Sequence, residues 1–380
     1  MQSEPRFYDV IVVGAGIEGS STAYSLAKNG KRTLLLEQYA LPHSNGSSHG
    51  KSRAAERAFG NRDIYVHMTN ESFKLIEELE EECGEQLFIN CGWLTFGEKG
   101  DALVSQTEQS LKRYKFPYNK FDAEEQRKMY PNLSLPNNFE CLLDRSGGVL
   151  KADKMLKVYQ DQFVHYGGVL LDGEQMVDLH LGSTVSVDTN NGVYKSRAVV
   201  LTLGPWAARF LPKIGINVPL QPVKINVYYW KERNGHALTT ETFPAFFTKC
   251  DGGNTTVGGM PSIKYPGLLK ICLSPGTCID PDSKDEVDYK GMLEKMKRFT
   301  TTHFPSLEEE PRNMETCYYT NTQDGDYILD VHPDWKNVVI GAGFSGHGFK
   351  LSPVIGKILG QLATEQTPFC DLSSFQINRF

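Results

Sequence analysis

Three glycines near the start of the chain have the spacing of a dinucleotide-binding turn. Gly14, Gly16 and Gly19 form a GxGxxG pattern, with Ile17 and Glu18 between the last two. In such a turn the first glycine makes the bend, the second lets the backbone approach a pyrophosphate and the third permits close helix packing. Amide groups at the start of the following helix then bind the phosphates. A glycine-rich turn without a ligand is the alternative interpretation.

An acidic residue follows the glycines at the distance expected for ribose binding. Glu37 lies 18 residues after Gly19, at the end of the next apolar run. A carboxylate at this place accepts hydrogen bonds from a ribose hydroxyl, and it disfavours NADP because the 2′-phosphate would meet a like charge. These residues predict a bound dinucleotide, and they do not distinguish FAD from NAD.

The elements around the glycines are those of a βαβ unit. Residues 8–14 and 32–37 are short, apolar and β-branched, which predicts two buried parallel strands, and residues 16–29 have helical spacing between them. Right-handed crossover places the two strands side by side. Further short buried strands are predicted at 169–171 and 198–203, strands at 327–330 and 337–340, and an antiparallel strand at 87–97. Helices are predicted at 63–83, 293–303 and 356–364, and the stretch 147–166 leads into a helix over 152–166.

The order of these elements predicts two interleaved domains. Residues 221–280 combine β-branched and aromatic residues with Gly and Pro turns, which is typical of an antiparallel sheet. We predict an α/β protein in which a Rossmann-like domain at 1–90, 145–215 and 318–380 is interleaved with an antiparallel substrate domain at 91–144 and 216–317.

Composition excludes several classes of function. A net charge of −6 and a pI of about 5.9 argue against a nucleic-acid binder, which carries a basic patch. No run of about 18 apolar residues predicts a membrane span. The eight cysteines are scattered without a CxxC pair, so we expect them to be reduced and predict no metal site. A small anionic substrate must then be bound by local cations.

Five motifs spread along the chain resemble those of one enzyme family. They are PHSNGSSHGKSR at 42–53, GGVL at 147–150 followed by AD at 152–153, GPW at 204–206, CYYTNT at 317–322 and GFSGHGFK at 343–350. Together they resemble the monomeric sarcosine oxidase family, which includes animal peroxisomal sarcosine and pipecolate oxidases and bacterial N-methyltryptophan oxidase. The resemblance covers nearly all of the chain and is strongest to the animal branch.

The resemblance implies both a fold and a reaction. The fold is a Rossmann-like FAD-binding domain interleaved with an antiparallel substrate domain, as in the glutathione-reductase-like and D-amino-acid-oxidase superfamily. The expected substrate is a small secondary amino acid such as sarcosine or L-pipecolate, held by its carboxylate as the free amine. A hydride equivalent passes from it to flavin N5, the imine hydrolyses, and O2 is reduced to hydrogen peroxide.

The resemblance also implies roles for particular residues. Cys317 matches the cysteine that carries the flavin through a thioether to its 8-methyl carbon. Lys270 matches a lysine near flavin N5, where a fixed cation stabilises charge developing on O2. Arg53 and Lys350 match two cations that bind the substrate carboxylate, and His49 matches a histidine near the flavin ring. A structural thiol, surface charges and a polar loop histidine are the alternatives.

A larger set of residues is expected to contact FAD. Backbone amides at 346–348, just before a helix, would stabilise negative charge at the pyrimidine end of the flavin. The full set is Gly14, Gly16, Ile17, Glu18, Gly19, Glu37, Ser48, His49, Val177, Gly204, Cys317, Gly346, His347, Gly348 and Lys350.

Two positions depart from the family pattern. Ser274 stands where members of the family usually have a histidine, and Glu56 stands where bacterial members have a second arginine. Glu56 either pairs with the adjacent Arg57 or favours a substrate with an additional cationic group. Both changes leave the oxidase chemistry in place and affect the choice of substrate.

Other functions remain open on the sequence alone. An FAD dehydrogenase would pass electrons to a carrier instead of O2, a flavin-binding scaffold would be silent, and an NAD-dependent dehydrogenase would be colourless. The family implies a monomer in the peroxisome. The chain stops at residues 378–380, about where the targeting tail of animal relatives would begin, so a cytoplasmic location is the alternative.

Overall fold

The computed structural model describes residues 7–233, 238–283 and 290–380. Within these ranges the helices are α1 (Ile17–Lys28), α2 (Asp63–Cys83), α3 (Ala102–Arg113), α4 (Ala123–Met129), α5 (Ala152–His165), α6 (Ala207–Phe210), α7 (Lys290–His303) and α8 (Ser352–Ala363). The strands are β1 (Phe7–Val13), β2 (Thr33–Leu36), β3 (Ser52–Ala55), β4 (Phe88–Ile89), β5 (Trp93–Glu98), β6 (Tyr118–Asp122), β7 (Phe139–Asp144), β8 (Gly148–Lys151), β9 (Val169–Leu171), β10 (Met176–His180), β11 (Val185–Thr189), β12 (Val193–Leu201), β13 (Gln221–Lys231), β14 (Ala245–Cys250), β15 (Thr255–Pro261), β16 (Leu268–Ser274), β17 (Thr277–Cys278), β18 (Asn313–Asn321), β19 (Ile328–Val331) and β20 (Val338–Ala342).

The predicted βαβ unit forms the centre of an eight-stranded sheet. β1 pairs in parallel with β2 on one side and with β12 on the other, and β9 and β20 extend the parallel arrangement. Side chains on one face of β1 pack against α1 and α8 in a large apolar cluster. β2 and β20 are buried along their whole length, as expected for strands covered on both faces.

A nine-stranded sheet contains the antiparallel region predicted at 221–280. Its order is β17-β13-β16-β15-β14-β5-β7-β6, and β18 also pairs with β13. β13 to β18 pair antiparallel with one another, which confirms that expectation. β5 is parallel to β14 and antiparallel to β7, so the sheet as a whole is mixed.

The single strand expected at 87–97 is two short strands in different sheets. β4 belongs to a three-stranded sheet of order β3-β8-β4, whereas β5 belongs to the nine-stranded sheet. Gly92 separates them with a φ of 85°, a left-handed conformation that glycine adopts without strain. The prediction of one strand is therefore wrong, because the apolar run alone does not reveal the turn at Gly92.

Helix positions differ from the prediction in several places, most clearly at α3, α4 and α8. α3 and α4 lie where the sequence analysis places no helix, although both have a capping aspartate that is visible in the sequence. Asp101 accepts hydrogen bonds from the first amides of α3, and Asp122 forms a capping box with Glu125 at the start of α4. α8 begins at Ser352, four residues before the predicted start.

The two large sheets use alternating parts of the chain. Strands of the eight-stranded sheet lie within 7–36, 169–201 and 328–342, and those of the nine-stranded sheet lie within 93–144 and 221–321. β18 continues past residue 317, where the sequence suggests a domain boundary, and ends at residue 321. None of the helices in the described ranges is long and apolar enough to cross a membrane.

The first and last helices approach each other closely. A Cβ atom on Gly356 of α8 would lie 2.6 Å from the Ser21 hydroxyl of α1, so only glycine fits there without a shift. The Ser21 hydroxyl also donates to the backbone oxygen of Ser352 at 2.8 Å. One turn further along α8, a Cβ on Gly360 would lie 3.5 Å from the Ser25 hydroxyl, which is an ordinary contact. α8 therefore holds α1, and with it the glycine turn, against the sheet.

We predict that Gly356→Ala lowers the free energy of unfolding by about 1–3 kcal/mol, because the added methyl group overpacks the α1–α8 contact. Gly360→Ala is the matched control in the same helix. It should leave the free energy unchanged or raise it by up to about 1 kcal/mol, since alanine favours helix. Urea unfolding measures both values, and equal destabilisation by the two substitutions would contradict the role given to Gly356.

Candidate cofactor and substrate site

A cleft of about 1140 Å³ is lined by residues of both large sheets. Its volume exceeds the usual range for a small-molecule pocket, about 300–1,000 Å³, and suits a dinucleotide together with a small substrate. Every residue that the sequence analysis assigns to catalysis or cofactor binding lines this cleft, except Gly19 and Val177. The two departures from the family pattern, Ser274 and Glu56, line it as well.

The glycine turn begins where β1 ends. Gly14 has a φ of 100°, and a Cβ atom on it would lie 2.4 Å from the backbone oxygen of Thr202. A Cβ on Gly19 would lie only 1.8 Å from the backbone oxygen of Gly14. Gly19 thus serves close packing behind the cleft, as predicted for the third glycine. Thr202, which the sequence analysis overlooks, follows β12, and its place at the carboxyl end of a parallel strand is the signal that could have found it.

Two side chains hold the backbone of this turn. Glu37 accepts a hydrogen bond from the backbone N–H of Ala15 at 2.9 Å. The Ser48 hydroxyl accepts one from the backbone N–H of Ile17 at 2.9 Å. Since an ionised carboxylate offers about four acceptor positions, Glu37 can also accept from a ribose hydroxyl.

Glu18 is a half-buried carboxyl group at the start of α1. Burial raises the pKa of Glu18 to about 7, against the opposing effects of its own backbone and of Arg53. It faces the second glycine-rich loop, because a Cβ on Gly348 would lie 2.8 Å from Glu18 Oε1. With this pKa the group is partly protonated at neutral pH, so it can donate a hydrogen bond to a bound molecule.

Cys317 lies on β18, opposite Ile225 of β13. Its sulfur lies 3.7 Å from the Arg53 guanidinium and 3.7 Å from the backbone oxygen of Ser47. Arg53 also donates to the backbone oxygens of Ser47, His49 and Ser52 at 2.7–2.9 Å. Arg53 therefore shapes the loop at 47–52 around the thiol, while its positive charge lines the cleft.

His49 connects the same loop to β18. Its two ring nitrogens lie 2.7 Å from the backbone oxygen of Gly46 and 2.8 Å from that of Thr316. Burial lowers the pKa of His49, and the two backbone oxygens oppose this shift. The ring lines the cleft directly beside the strand that carries Cys317.

Lys270 is a buried cation on β16. Its Nζ donates to the backbone oxygen of Ser52 at 3.0 Å and lies 3.2 Å from the Ser52 hydroxyl. The residue is 9% exposed. Burial, and secondly the charge of Arg53, lower the pKa of Lys270 to about 8. Ser52 is a contact that the sequence analysis misses, although it stands next to Arg53 in the HGKSR motif.

Lys350 forms an ion pair that the sequence does not reveal. Its Nζ lies 2.7 Å from Glu56 Oε1 and 4.9 Å from the centre of the Phe59 ring. Arg57, the other partner considered for Glu56, instead lies over the Phe73 ring at 4.1 Å. Glu56 therefore faces the cleft and pairs with Lys350, and none of the ion pairs in the described ranges joins it to Arg57.

The loop at 343–348 leads into a short 3-10 turn and then into α8. Its His347 is held by the Tyr327 hydroxyl and by the backbone oxygen of Gly325, the latter at 3.1 Å. Burial, and then the charge of Lys350, lower the pKa of His347 to about 3, so the ring is neutral at physiological pH. Its neighbour Gly346 has a φ of 79° and packs against the Tyr319 ring. His347 therefore contributes no positive charge to this loop, and the nearest cation is Lys350 in the 3-10 turn that follows.

Val177 is an expected cofactor contact that does not line the cleft. Its side chain is 61% exposed on β10, and Gln175 and Met176 line the cleft beside it. Because side chains alternate along a strand, the side chain of Val177 points away from the cleft. Ser274 lies at the end of β16, opposite Thr256 of β15, and both line the cleft.

Comparisons with known proteins agree with this site. A family described as FAD dependent oxidoreductase matches residues 9–362. The human protein named peroxisomal sarcosine oxidase is 42% identical, over all of this chain and 98% of its own length. The monomeric sarcosine oxidase of Bacillus sp. (strain B-0618) is 33% identical, over 98% of this chain and 96% of its own length.

Solved structures show the same fold. The open form of NikD, an unusual amino acid oxidase, superposes with a TM-score of 0.85 at 24% identity, over 98% of this chain and 97% of NikD. L-proline dehydrogenase from P. horikoshii superposes with a TM-score of 0.84 at 21% identity, over 99% and 98%. The glycine turn, the cleft and these matches agree, and the chain belongs to the sarcosine oxidase family of FAD-dependent oxidoreductases.

Proposed function

We propose that this enzyme oxidises a small secondary amino acid, with sarcosine and L-pipecolate as the leading candidates, and uses O2 as the electron acceptor. The proposal is supported by relatives from human, mouse and Bacillus that carry the name sarcosine oxidase. Hydrolysis of the imine product and release of hydrogen peroxide complete the reaction.

The observation that carries the proposal is a pair of cations in the cleft without an acidic partner. Arg53 and Lys270 take part in none of the ion pairs found in the described ranges, and both line the cleft. A buried cation is costly unless something compensates its charge. An anionic substrate supplies that compensation, and the planar guanidinium of Arg53 suits a carboxylate.

The residues of the cleft fit FAD. The glycine turn, Glu37 and the amides of α1 would hold its adenosine and phosphate end, and the loop at 343–348 with Cys317 would hold its flavin end. When bound, FAD would supply the acceptor for a hydride equivalent from the carbon beside the amine nitrogen, and O2 would take up the two electrons. The protein's own contribution is to orient the substrate through its carboxylate and to keep a fixed positive charge at Lys270.

Cys317 is the proposed point of covalent attachment of the flavin. It is one of two thiols in the cleft, and the other is Cys272. The Cys272 thiol donates to the backbone oxygen of Gly258 at 3.4 Å, and burial raises the pKa of Cys272, which keeps it protonated. The Cys317 sulfur instead lies beside the Arg53 guanidinium. This difference favours Cys317 as the reactive thiol.

Location and assembly are proposed from the relatives. The human and mouse relatives are named peroxisomal, and an enzyme that makes hydrogen peroxide suits that compartment. The Bacillus relative is named monomeric. We therefore propose a monomeric enzyme of the peroxisome.

Peroxide release with matched substrates tests the proposed function. L-Pipecolate should be oxidised with a kcat/KM at least about ten- to a hundredfold above that of piperidine, which has the same ring and no carboxylate, because a charge-assisted bond contributes about 1.5–3 kcal/mol. Sarcosine, L-proline and N-methyl-L-tryptophan complete the panel. Equal rates for piperidine and pipecolate would reject a carboxylate-bound substrate. Turnover with a dye but without peroxide would identify a dehydrogenase.

Acid precipitation tests the covalent bond. Wild-type protein precipitated with acid should stay yellow, and Cys317→Ala should release its colour to the supernatant. Cys272→Ala is the matched control, because Cys272 also lines the cleft, and its pellet should remain yellow. Colourless wild-type pellets would exclude a covalent flavin at any residue, and colour lost only in Cys272→Ala would move the bond to that thiol.

Lys270 should act on the oxygen step. Lys270→Met should slow flavin reoxidation by about 10²–10³, the usual loss when a preorganised charge is removed, while flavin reduction by substrate changes far less. Because the pKa of Lys270 is about 8, its charge is present below this value, and wild-type reoxidation should decline as the pH rises through it. Stopped-flow kinetics measures both half-reactions.

The control is Lys231→Met, which removes an exposed lysine from the neighbouring strand β13. It should alter neither half-reaction. Equal losses in reduction and reoxidation of Lys270→Met would show that Lys270 acts on the substrate instead.

A further inference from the structure

Glu56 and Lys350 form a charge pair in the wall of the cleft. Lys350 Nζ lies 2.7 Å from Glu56 Oε1, and the side chains are 7% and 16% exposed. Both residues line the cleft, although 294 positions separate them in the chain. A pair buried to this degree keeps much of its mutual attraction, since water and salt screen it weakly.

The pair removes the attraction of Lys350 for an anion. A substrate carboxylate that approached Lys350 would compete with Glu56 and would meet its negative charge at close range. Arg53 and Lys270, by contrast, form no ion pair with a carboxylate in the described part of the chain. The cleft therefore has a positive part at Arg53 and Lys270 and an electrically balanced part that presents a carboxylate at Glu56.

The second carboxylate oxygen of Glu56 has no hydrogen-bond donor within the described part of the chain. This oxygen, Oε2, is also buried. A buried polar atom without a partner is rare in folded proteins, and an unmade bond to a carboxylate is costly. A ligand that carries an ammonium or guanidinium group would supply the missing hydrogen-bond donors to this oxygen.

Glu56 therefore sets substrate choice. We propose, on the basis of the function proposed above, that the preferred substrate is an N-substituted amino acid with a second, cationic group. Its carboxylate contacts Arg53 and the added cation contacts Glu56. Glu56 is a specificity-determining residue that disfavours a carboxylate at Lys350 and selects a cation in its place.

A similar ion pair outside the cleft provides the control. Lys357 of α8 and Glu71 of α2 also lie 2.7 Å apart, with a glutamate that is 14% exposed, and neither residue lines the cleft. Glu71→Gln thus breaks a lysine–glutamate pair of the same length, with a glutamate of similar burial and a more exposed lysine, without changing the charge of the site. Effects that arise from losing an ion pair alone should appear in both Glu56→Gln and Glu71→Gln.

Binding of non-reacting ligands to the flavin-loaded protein tests the proposal. The probes are 4-aminobutanoate, 5-aminopentanoate and 6-aminohexanoate, each compared by calorimetry with pentanoate, hexanoate or heptanoate, in which a methyl group replaces the ammonium group. The wild type should bind at least one amino acid of the series tighter than its methyl counterpart by on the order of tenfold or more. Three lengths are used so that one can span the cleft.

Substitutions at position 56 should then change this ratio of dissociation constants. Glu56→Gln should abolish the preference and should also tighten binding of the simple alkanoates, because Lys350 is released. Glu56→Asp keeps the charge and should still bind the amino acid tighter than the alkanoate. Glu71→Gln should show the same ratio of dissociation constants as the wild type.

A wild type without the preference at any length, or a Glu56→Gln protein that retains it, would overturn the proposal. These titrations involve no turnover, so they are independent of the peroxide assay. A protein that shows the binding preference but makes no peroxide would contradict the proposed oxidase function alone.

Discussion

Two hydrogen bonds from Lys270 to Ser52 join the nine-stranded sheet to β3 in the wall of the cleft. Lys270 comes from the antiparallel part of the fold, whereas Ser52 precedes Arg53 in the loop that surrounds Cys317. A buried ammonium group needs such partners, because desolvation opposes its charge. The loop at 47–52 is thus fixed by Lys270 from one side and by Arg53 from within, and the positions of His49 and Cys317 follow from it.

The sequence predicts the parts of the fold that depend on local patterns. The strands around the glycine turn, the antiparallel region at 221–280 and α2 follow from apolar spacing, and the structure contains them. α3 and α4 are missed because their apolar positions are few, although Asp101 and Asp122 mark their starts. The division of 87–97 between two sheets depends on one left-handed glycine and on partners far along the chain, which spacing does not encode.

The candidate site also has a part that the sequence predicts and a part that it does not. Motifs identify which residues line the cleft, because binding residues keep fixed positions around a glycine turn or a strand end. The hydrogen-bond and ion-pair partners of these residues, in contrast, depend on tertiary contacts between distant parts of the chain. Glu56 lies next to Arg57 in the sequence and nevertheless pairs with Lys350, and the Val177 side chain points to solvent on a strand whose neighbouring residue faces the cleft. The sequence therefore predicts which residue types line the cleft, and tertiary packing determines which of the charged residues pair with one another.

The contact between α1 and α8 has a consequence for biosynthesis. Gly356 and the helix that holds α1 in place are made more than 300 residues after α1. At about 5–20 residues per second, roughly 17–70 s pass between the synthesis of the two helices. During this time the glycine turn lacks its supporting layer, and the apolar surface that α8 will cover is exposed to chaperones. Stable packing of the glycine turn therefore depends on a chain that has been made through α8.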